Sequence, residues 1–549
     1  MGNVQHDASL VSALARETME GKLTRREAIL RGAALGLGTA GLVALNGATS
    51  VFAQDATPAS AGDTPLDPNA KSGGILKVGL QADPAELDPH KTNLTAAWHI
   101  IEHVYDGLVG VDASLAPTPA LATDWTISDD GLTYTFNLRQ GVTFHNGRAL
   151  TSDDVKYSFE RIVDEATASP NASDFSVISA IDASDPAVVV ITLASADASF
   201  IAKLMGNAGK IVAKEVVEEN GDLNQTMVGT GPFKFVDYVP NSTVTLEKNA
   251  EFWLEGRPYL DGIEFQIVPE STSRTAALVS NTVDFIEYAP VQDIPTFEAN
   301  SELVVAGDAN TNIRYVALNV SNEPLDKLEV RQAIAKVVDR GPIIDSSVFG
   351  YGTPMQYIFP ESYWAGLGGE IPAADVDGAK ALLESVGLAD GFKLRCTSWA
   401  SYPFLSNAAI VLQEQLKAIN IEVELDLQEN AIYLEGYFGG DFDLSVTGTS
   451  AYVDPNDVLA SNFLSDGDAN GIGYNNPEVD ELIKAGVAET DQEARAAIYR
   501  QVQEILLTDL PWINLFVANQ YEVYKSYVQG YVHIATGTNA SFRDVWLDQ

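Results

Sequence analysis

The chain has 549 residues, with 33 Lys and Arg against 76 Asp and Glu, which gives a formal net charge of −43 at pH 7. This acidic balance excludes nucleic acid and anionic lipid as partners, because both bind basic surfaces. A hydrophobic content of 46% and an aromatic content of 9% exclude a disordered chain and predict a globular one. At about 100–200 residues per domain, the length predicts roughly two to four domains. Cys396 is the one cysteine, which excludes an intrachain disulfide.

The N-terminal segment has the pattern of an export signal. Arg25 and Arg26 precede an apolar, glycine-spaced run at 33–45, which is too short to span a bilayer comfortably. Small residues stand three positions before and directly before a cut after Ala53. We therefore predict that 1–53 is a signal peptide resembling the twin-arginine type. The protein is then expected in the periplasm or on the outer face of the cytoplasmic membrane.

The residues around the predicted cut refine this expectation. Ala28 stands where the twin-arginine motif usually has a bulky apolar residue, so general secretion remains an alternative route. No cysteine lies near the cut, so an anchor through a lipidated N-terminal Cys is not expected. Residues 54–72 are rich in Pro, Ala, Ser and Asp and predict a flexible linker.

A histidine and an asparagine lie together at 145–146. Apolar and polar residues alternate at 132–138, and apolar residues resume the pattern at 142–146, each run being followed by a turn pair. This predicts two short paired strands and then a helix capped at Thr151. His145 points away from the apolar face, and nothing near it in sequence activates it as a base. The pair is therefore predicted to be scaffold and not catalytic.

Helical and strand periodicities alternate in the later chain. The run from Leu328 predicts a helix that is stopped by Gly341-Pro342. Another helical run precedes the strictly alternating residues 421–428, and a last long helix ends at Pro511. Helices followed by strands predict an α/β architecture in which 421–428 is an edge-exposed strand.

Seven stretches in order carry a resemblance that covers nearly all of 73–549. They are "ELDPH", "DGLTYTFNLRQGVTFHNG", "DVKYSFER", "VGTGPFKF", "VRQAIAKVVDR", "AKALLESVGLADGF" and "YNNPEVDELI". Together they resemble the extracytoplasmic solute-binding proteins of family 5, which are the oligopeptide-, dipeptide- and nickel-type receptors of ABC importers. The resemblance implies a receptor without catalytic residues or cofactor.

The resemblance also implies an α/β, two-lobed periplasmic-binding-protein fold of class II type, with a hinge between the lobes and an extra inserted subdomain. We expect the core of lobe I at 73–112, 226–311 and 516–549, with the inserted subdomain at 113–225. Lobe II is expected at 312–515. Proteins of this kind close around their ligand, so the contacts of both lobes form only in the closed state.

Ligand contacts are implied by the same resemblance. Peptide-binding members hold the peptide as an added strand between the lobes. The matching positions here are Asn93, Thr95 and Trp98 in lobe I, and Trp399, Ser401, Tyr402, Gly448, Thr449, Ser450, Ala451 and Tyr452 in lobe II. For the aromatic residues, ordinary core packing is the alternative.

One departure from the family pattern concerns the ligand. Peptide receptors pair the ligand's free amine with an aspartate, and that position is Ala451 or Tyr452 here. A buried ammonium without a carboxylate is costly, and Asp454, which the family uses for a turn, is the one substitute nearby. We expect a peptide-like solute. An oligosaccharide stacked on aromatic rings is the alternative, and an exported carboxylate-dependent hydrolase is the alternative from another class.

Two weaker motifs suggest metals. His99 and His103 flank Glu102 at the spacing of a metal pair, but no third ligand follows. The loop Asp466–Glu478 begins like a calcium loop, yet its twelfth position is Pro477, so calcium binding is left open. We expect no metal site. The expected partners are a small-molecule or peptide ligand and the ABC transporter permease subunits, with no nucleic acid, and the protein is expected to be a monomer.

Overall fold

The structure is a computed structural model that describes residues 66–549. The predicted signal peptide at 1–53 and residues 54–65 of the predicted linker lie outside the described residues. Across residues 66–549, no helix combines the length and the apolar character that are needed to cross a bilayer.

The described end of the predicted linker contacts the folded chain. The backbone N–H of Asp67 donates to the hydroxyl of Tyr259 at 3.2 Å. The ammonium of Lys71 pairs with Asp548 at 2.6 Å. These contacts attach the residues that precede the first strand to the surface of the protein.

Strands and helices alternate along the described chain. The strands are β1 (Ile75–Leu80), β2 (Val109–Val111), β3 (Pro117–Pro119), β4 (Ala122–Ile127), β5 (Thr133–Leu138), β6 (Ile178–Asp185), β7 (Val188–Leu193), β8 (Phe233–Val239), β9 (Thr243–Lys248), β10 (Gly262–Ile267), β11 (Phe285–Ile286), β12 (Leu303–Leu318), β13 (Gly352–Pro354), β14 (Phe392–Trp399), β15 (Ile421–Gln428), β16 (Leu444–Gly448), β17 (Trp512–Lys525), β18 (Val528–Gln529) and β19 (Trp546–Leu547). The helices are α1 (Thr95–Val104), α2 (Ser152–Val163), α3 (Ala172–Phe175), α4 (Phe200–Met205), α5 (Lys214–Asn220), α6 (Ser271–Val279), α7 (Ile294–Glu298), α8 (Leu328–Val337), α9 (Arg340–Val348), α10 (Val376–Ser385), α11 (Pro403–Lys417), α12 (Asn430–Phe438), α13 (Pro455–Phe463), α14 (Pro477–Ala488) and α15 (Gln492–Asp509).

A large mixed sheet is the main structural element of the fold. Its order is β15-β14-β16-β12-β17-β11-β1-β10-β9-β8, and β13 pairs with β17. At one end β14 is parallel to both β15 and β16, and at the other end β1 is parallel to both β10 and β11. The long strands β12 and β17 pair antiparallel in the middle. The edge position of β15 confirms the prediction for 421–428.

Separate hydrophobic cores lie on the two ends of this sheet. The core around Val78 and Phe265 defines what we call the first body, residues 66–308 and 519–549. The cores that contain Val316 and Tyr315 on opposite faces of β12 define the second body, residues 313–517. Because β12 and β17 each contribute residues to both bodies, the bodies are connected by two adjacent strands.

The region predicted to be an insertion contains its own sheet, with the order β4-β5-β7-β6. Its apolar face nevertheless shares one continuous core with the main sheet of the first body. Phe136 of β5 and Val155 of α2 belong to the same cluster as Val78 of β1. The residues at 113–225 are therefore packed as part of the first body.

Two local predictions are wrong. Residues 142–146 form no strand with β5, because one edge of β5 pairs with the preceding strand β4 and the other edge pairs with β7. Gly341-Pro342 does not stop the helix from Leu328, which ends earlier at Val337. Both residues lie in the first turn of α9, where proline fits because early helical N–H groups need no intrahelical partner. The helix capped at Thr151 is confirmed, with a capping box.

Candidate functional site

The second body presents the carboxyl ends of its parallel strands at one edge. β14 ends at Trp399, β15 at Gln428 and β16 at Gly448, and the loops that follow these strands lie together. Ligands of open α/β sheets bind at such edges, where the loops after parallel strands converge. The edge thus contains most of the residues predicted to contact the ligand.

The aromatic residues predicted at this edge contact one another. The ring of Trp399 lies 4.2 Å from that of Tyr433 and 5.4 Å from that of Tyr402. Its indole N–H donates to the hydroxyl of Thr447 at 3.3 Å. Tyr402 is 42% exposed, and Ser401 donates to a side chain at the start of α12. Trp399 is therefore held on its inner side, while Tyr402 leaves an apolar ring open to solvent.

The loop after β16 is attached to the strand β12. The backbone N–H of Ile313 donates to the hydroxyl of Thr449 at 3.0 Å, and the N–H of Thr449 returns a hydrogen bond to the carbonyl of Ile313 at 3.0 Å. Ser450 and Ala451 are exposed. This stretch has the open backbone that an added strand would need.

Tyr452 is predicted to contact the ligand together with Ser450 and Ala451, but its side chain lies in a different environment from theirs. Its side chain is 2% exposed and packs between the rings of Phe359 and Tyr363 at 5.2 and 5.4 Å. Its hydroxyl is buried and has no hydrogen-bond partner in the described chain. Its backbone N–H donates to Thr311 at 3.1 Å. The ring belongs to the second body's core, which was the alternative for the aromatic residues.

From the sequence, Asp454 is the substitute partner for a ligand amine. In the structure its carboxylate is already paired. Asp454 caps α13 and receives two hydrogen bonds of 2.9 Å from Arg495. Both side chains are nearly completely buried. A ligand amine would have to displace this bidentate pair, so the structure provides no available anchor at Asp454.

The first body also presents an edge of parallel strands, at the ends of β1 and β11. Directly after β11, Glu287 accepts the backbone N–H of Gln81 at 3.1 Å and pairs with His99 of α1. The ring of Tyr288 stacks on that of His99 at 6.1 Å. Burial opposes a charge on His99, but the carboxylate of Glu287, with Glu102 beyond it, raises the pKa of His99 to about 9. His99 is therefore an ion-pair partner at neutral pH.

The residues predicted to bind ligand in the first body lie at the start of α1. Asn93 is exposed, whereas Thr95 and Trp98 are half-buried. The indole N–H of Trp98 donates to the carbonyl of Thr92 at 3.5 Å. Within residues 66–549, no hydrogen bond, ion pair or ring contact joins these three residues to the predicted contacts of the second body.

The two bodies touch each other away from the shared strands. The backbone N–H of Ala198, in the inserted region, donates to the carbonyl of Val487 in α14 at 2.8 Å. A contact of this kind forms only when the two bodies are close together.

Other candidates from the sequence have structural roles. The ring of His145 lies between Gly229 N–H, at 3.4 Å, and the Gly231 carbonyl, at 3.0 Å, and burial lowers its pKa to about 4. His103 stacks on Phe542 at 5.2 Å, away from the Glu287 pair. In residues 66–549 no three His, Cys, Asp or Glu side chains are arranged to hold a metal ion.

The calcium-like loop is braced by its own side chains. Asn470, at the fifth position, donates to the carbonyls of Leu464 and Tyr474 at 2.9 and 2.7 Å. Its side-chain oxygen accepts the N–H of Tyr474 at 3.0 Å. An oxygen used in this way is not aimed at a metal ion, and the loop connects α13 to α14.

The sequence missed Arg314, which lies on β12 directly opposite Gly448. It shares a strand face with Val316 and Leu318, both of which are fully buried. One charged residue on the inward face of an otherwise apolar strand was the available signal. The glutamate after β11 was missed because the edge it occupies depends on strand pairing that no local pattern shows.

The His99 ion pair predicts a loss of stability in alkaline solution. Because the folded pKa of about 9 exceeds the unfolded value of 6.5, the stabilisation is complete below pH 6.5 and disappears as the pH passes 9. We expect the free energy of unfolding to fall by on the order of 1–3 kcal/mol across this window. His99→Gln is expected to remove the fall and His533→Gln to keep it. Chemical denaturation at both pH values measures this; an unchanged fall in His99→Gln would contradict the assignment.

Comparison with known proteins places these features in a class. The model of "Bacterial extracellular solute-binding proteins, family 5 Middle" matches residues 116–471. Heme-binding protein A of Haemophilus influenzae is 30% identical over 474 residues, which cover 80% of this chain and 86% of that protein. Glutathione-binding protein GsiB of Salmonella typhi is 29% identical over 484 residues, which cover 86% of this chain and 94% of that protein.

Solved structures show the same architecture. The PBP AgaA from A. tumefacien R10, in complex with agropinic acid, has a TM-score of 0.74 at 29% identity and covers 87% of this chain and 99% of its own. DppA from Helicobacter pylori, in complex with peptide STSA, has a TM-score of 0.73 at 28% identity with the same coverage. The fold and the two strand edges thus define a periplasmic-binding-protein type of solute receptor. Within that class, the chain belongs to the bacterial extracellular solute-binding proteins of family 5.

Proposed function

We propose that this protein is the substrate-binding component of an ABC importer. It captures a peptide-like solute between two closing bodies and delivers the solute to the membrane permease. One observation carries the proposal: two bodies, each with the carboxyl ends of parallel strands at an edge, are joined by the paired strands β12 and β17. Two adjacent strands allow a bending motion while they keep the bodies in register.

The peptide-like character of the solute is supported by the second-body edge and by the relatives. The exposed backbone at 450–451 and the ring of Tyr402 suit an extended chain that adds a strand. The relatives named above bind glutathione, heme, agropinic acid and a peptide. An oligosaccharide, the alternative from the sequence, has no counterpart among them and is less well supported.

We further propose that the protein acts without catalysis, outside the cytoplasm, and as a monomer. Family members act as transport binding proteins, and Glu287 and Asp454, one acid at each edge, are engaged in ion pairs. A hydrolase needs two carboxyl groups directed at one bond. The export signal at 1–53, with general secretion as the alternative route, is the basis for the location.

Ligand-dependent stabilisation tests the proposed function. The full chain is mixed with glutathione, with the tetrapeptide Ser-Thr-Ser-Ala and with maltotetraose, and its melting temperature is measured. A ligand at roughly 100 times its Kd adds about 2.7 kcal/mol to the stability of the state that binds it, so we expect a rise of several degrees with a peptide. Mass spectrometry should recover that peptide intact. A rise with maltotetraose alone would overturn the peptide class, and cleavage of the peptide would overturn the receptor role.

A further inference from the structure

Arg314 is a half-buried cation that forms no ion pair with any carboxylate of residues 66–549. Its buried Nε has no hydrogen-bond partner in the described chain. One terminal nitrogen lies 3.5 Å from the carbonyl of Ile313 and 3.4 Å from that of Thr449. No carboxylate of residues 66–549 lies within ion-pair distance of it, and burial lowers its pKa to about 10.

The fully buried guanidinium groups of residues 66–549 each donate at least one hydrogen bond of 3.0 Å or shorter, although Arg274 also leaves its Nε without a partner. Arg161 donates to both oxygens of Asp88 at 2.8 and 2.5 Å, and Arg495 forms the bidentate pair with Asp454. Arg340, which also lacks a carboxylate, donates to two carbonyls at 2.8 Å. The long contacts of Arg314 therefore set it apart. An unpaired buried charge is costly and is retained where something else requires it.

The position of Arg314 in the second body indicates why an unpaired charge is kept there. It stands opposite Gly448 at the edge where the parallel strands of the second body end. Its guanidinium carbon lies 5.1 Å from the centre of the ring of Phe404, two residues after the exposed Tyr402. The side chain is half-buried, so part of it can be reached from the edge. A Cβ on Gly448 would lie 2.5 Å from its terminal nitrogen, so the glycine leaves the guanidinium its space.

We propose that Arg314 binds a carboxylate group of the solute, so that the receptor selects anionic solutes. The inference rests on the proposed function and adds the charge class of the ligand. A planar guanidinium with free N–H groups matches the geometry of a carboxylate, and low exposure strengthens such a pair. Neutral oligosaccharides offer no such group. With no available carboxylate at Asp454, the solute is anchored through its acid and not through its amine.

The assignment has a consequence for the unliganded protein. If Arg314 served the fold, its removal would destabilise the protein. If it serves the ligand, Arg314→Gln removes an uncompensated charge and leaves the unliganded melting temperature unchanged or raised. The matched control is Arg331→Gln in the same body, because Arg331 donates at 2.8 Å to the carbonyls of Asp509 and Leu325. That control is expected to lower the melting temperature.

Two pairs of probes test the carboxylate directly. The first pair is Ser-Thr-Ser-Ala and its C-terminal amide, measured by calorimetry. The second is sodium acetate against acetamide in sodium chloride of the same ionic strength, measured by melting temperature. For wild type we expect the acid to bind at least about tenfold more tightly than the amide, and acetate to stabilise more than acetamide. Both differences should disappear in Arg314→Gln and shrink in Gly448→Ala, and both should remain in Arg331→Gln.

The outcomes separate this inference from the proposed function. Equal binding of acid and amide to wild type, or a preference that survives in Arg314→Gln, overturns the carboxylate assignment and leaves the receptor function intact. If no peptide binds, the peptide-receptor function fails, and the acetate pair still decides: an acetate effect that depends on Arg314 supports the anion site, and its absence overturns it. A lowered melting temperature in unliganded Arg314→Gln, equal to that of the Arg331→Gln control, also overturns it.

Discussion

Replacing Arg495 by methionine is expected to destabilise the protein by about 3–5 kcal/mol, because it leaves the carboxylate of Asp454 buried without a partner. The guanidinium donates twice to Asp454 at 2.9 Å and once to the carbonyl of Gly486 at 2.9 Å. The two side chains of the pair are 7% and 6% exposed, so water cannot replace the lost contacts. Urea denaturation, with the slope checked against wild type, measures the change.

The double variant and an exposed pair serve as controls. Adding Asp454→Asn to Arg495→Met should recover part of the loss, since the unpaired charge disappears. Lys393→Met breaks the Lys393–Glu422 pair, whose side chains are 75% and 67% exposed, and should produce no resolvable change. Equal effects of Arg495→Met and Lys393→Met would contradict the claim that burial gives the first pair its importance.

Acid is expected to unfold the protein through three neutral histidines, of which His90 and His103 are fully buried and His145 is half-buried. Burial, with Arg161 beside His90, lowers the pKa of His90 to about 4; burial also lowers that of His103 to about 3 and that of His145 to about 4. Groups whose folded pKa lies below the unfolded one stabilise the fold above pH 6.5 and lose that contribution as the pH falls toward 4. We expect a loss on the order of 5 kcal/mol across this window, which is comparable with the whole stability of many domains.

The expected loss of stability is smaller than the three histidines alone would cause, because other groups act in the opposite direction. Burial raises the pKa of Glu102, and burial together with Asp454 raises that of Asp457 to about 7. Both take up protons in the folded state and so work against the histidines, as does Asp174, whose pKa is also raised by desolvation. Replacing one histidine therefore isolates its share.

His103→Phe provides that isolation. The Nε2 of His103 is buried without a hydrogen-bond partner, and its ring stacks on Phe542 at 5.2 Å, so a phenyl ring can take its place. The variant should lose less stability than wild type between pH 6.5 and 4, with little change at neutral pH. Denaturation curves along that pH range measure it, and parallel losses in both proteins would show that His103 does not bind the proton.

In this chain, local sequence patterns predict individual strands and helices well, but they predict the pairing of strands poorly. The alternation at 421–428 predicts β15 correctly. The side chains of this edge strand alternate between more buried and more exposed positions, and the sequence follows that alternation. The alternation at 142–146 is equally regular, yet β5 pairs with β4 and β7 instead. Which strand pairs with which is decided by the tertiary fold, and residues close in sequence carry no information about a partner fifty residues away.

The residues of the candidate site also fall into two groups, those that the sequence identifies and those that only the folded structure reveals. Trp399 and Tyr402 are identified from the sequence by the family resemblance. Arg314 and Glu287 acquire their roles from neighbours on distant strands, Gly448 opposite the first and Gln81 beside the second. The unusual property of Arg314 is that, within residues 66–549, it has no carboxylate partner and only long hydrogen bonds of 3.4 and 3.5 Å, which is visible only after the chain is folded.

The most direct test of closure is a distance between spin labels on the two bodies. Ser179→Cys in β6 and Lys484→Cys in α14 are exposed positions on opposite bodies. The native Cys396 is buried and burial raises its pKa to about 12, so it will not take up the label. With Ser-Thr-Ser-Ala bound, as shown by calorimetry on the same sample, the distance distribution should become shorter and narrower than without it. Superimposable distributions with and without bound peptide would contradict the closing of two bodies on a solute.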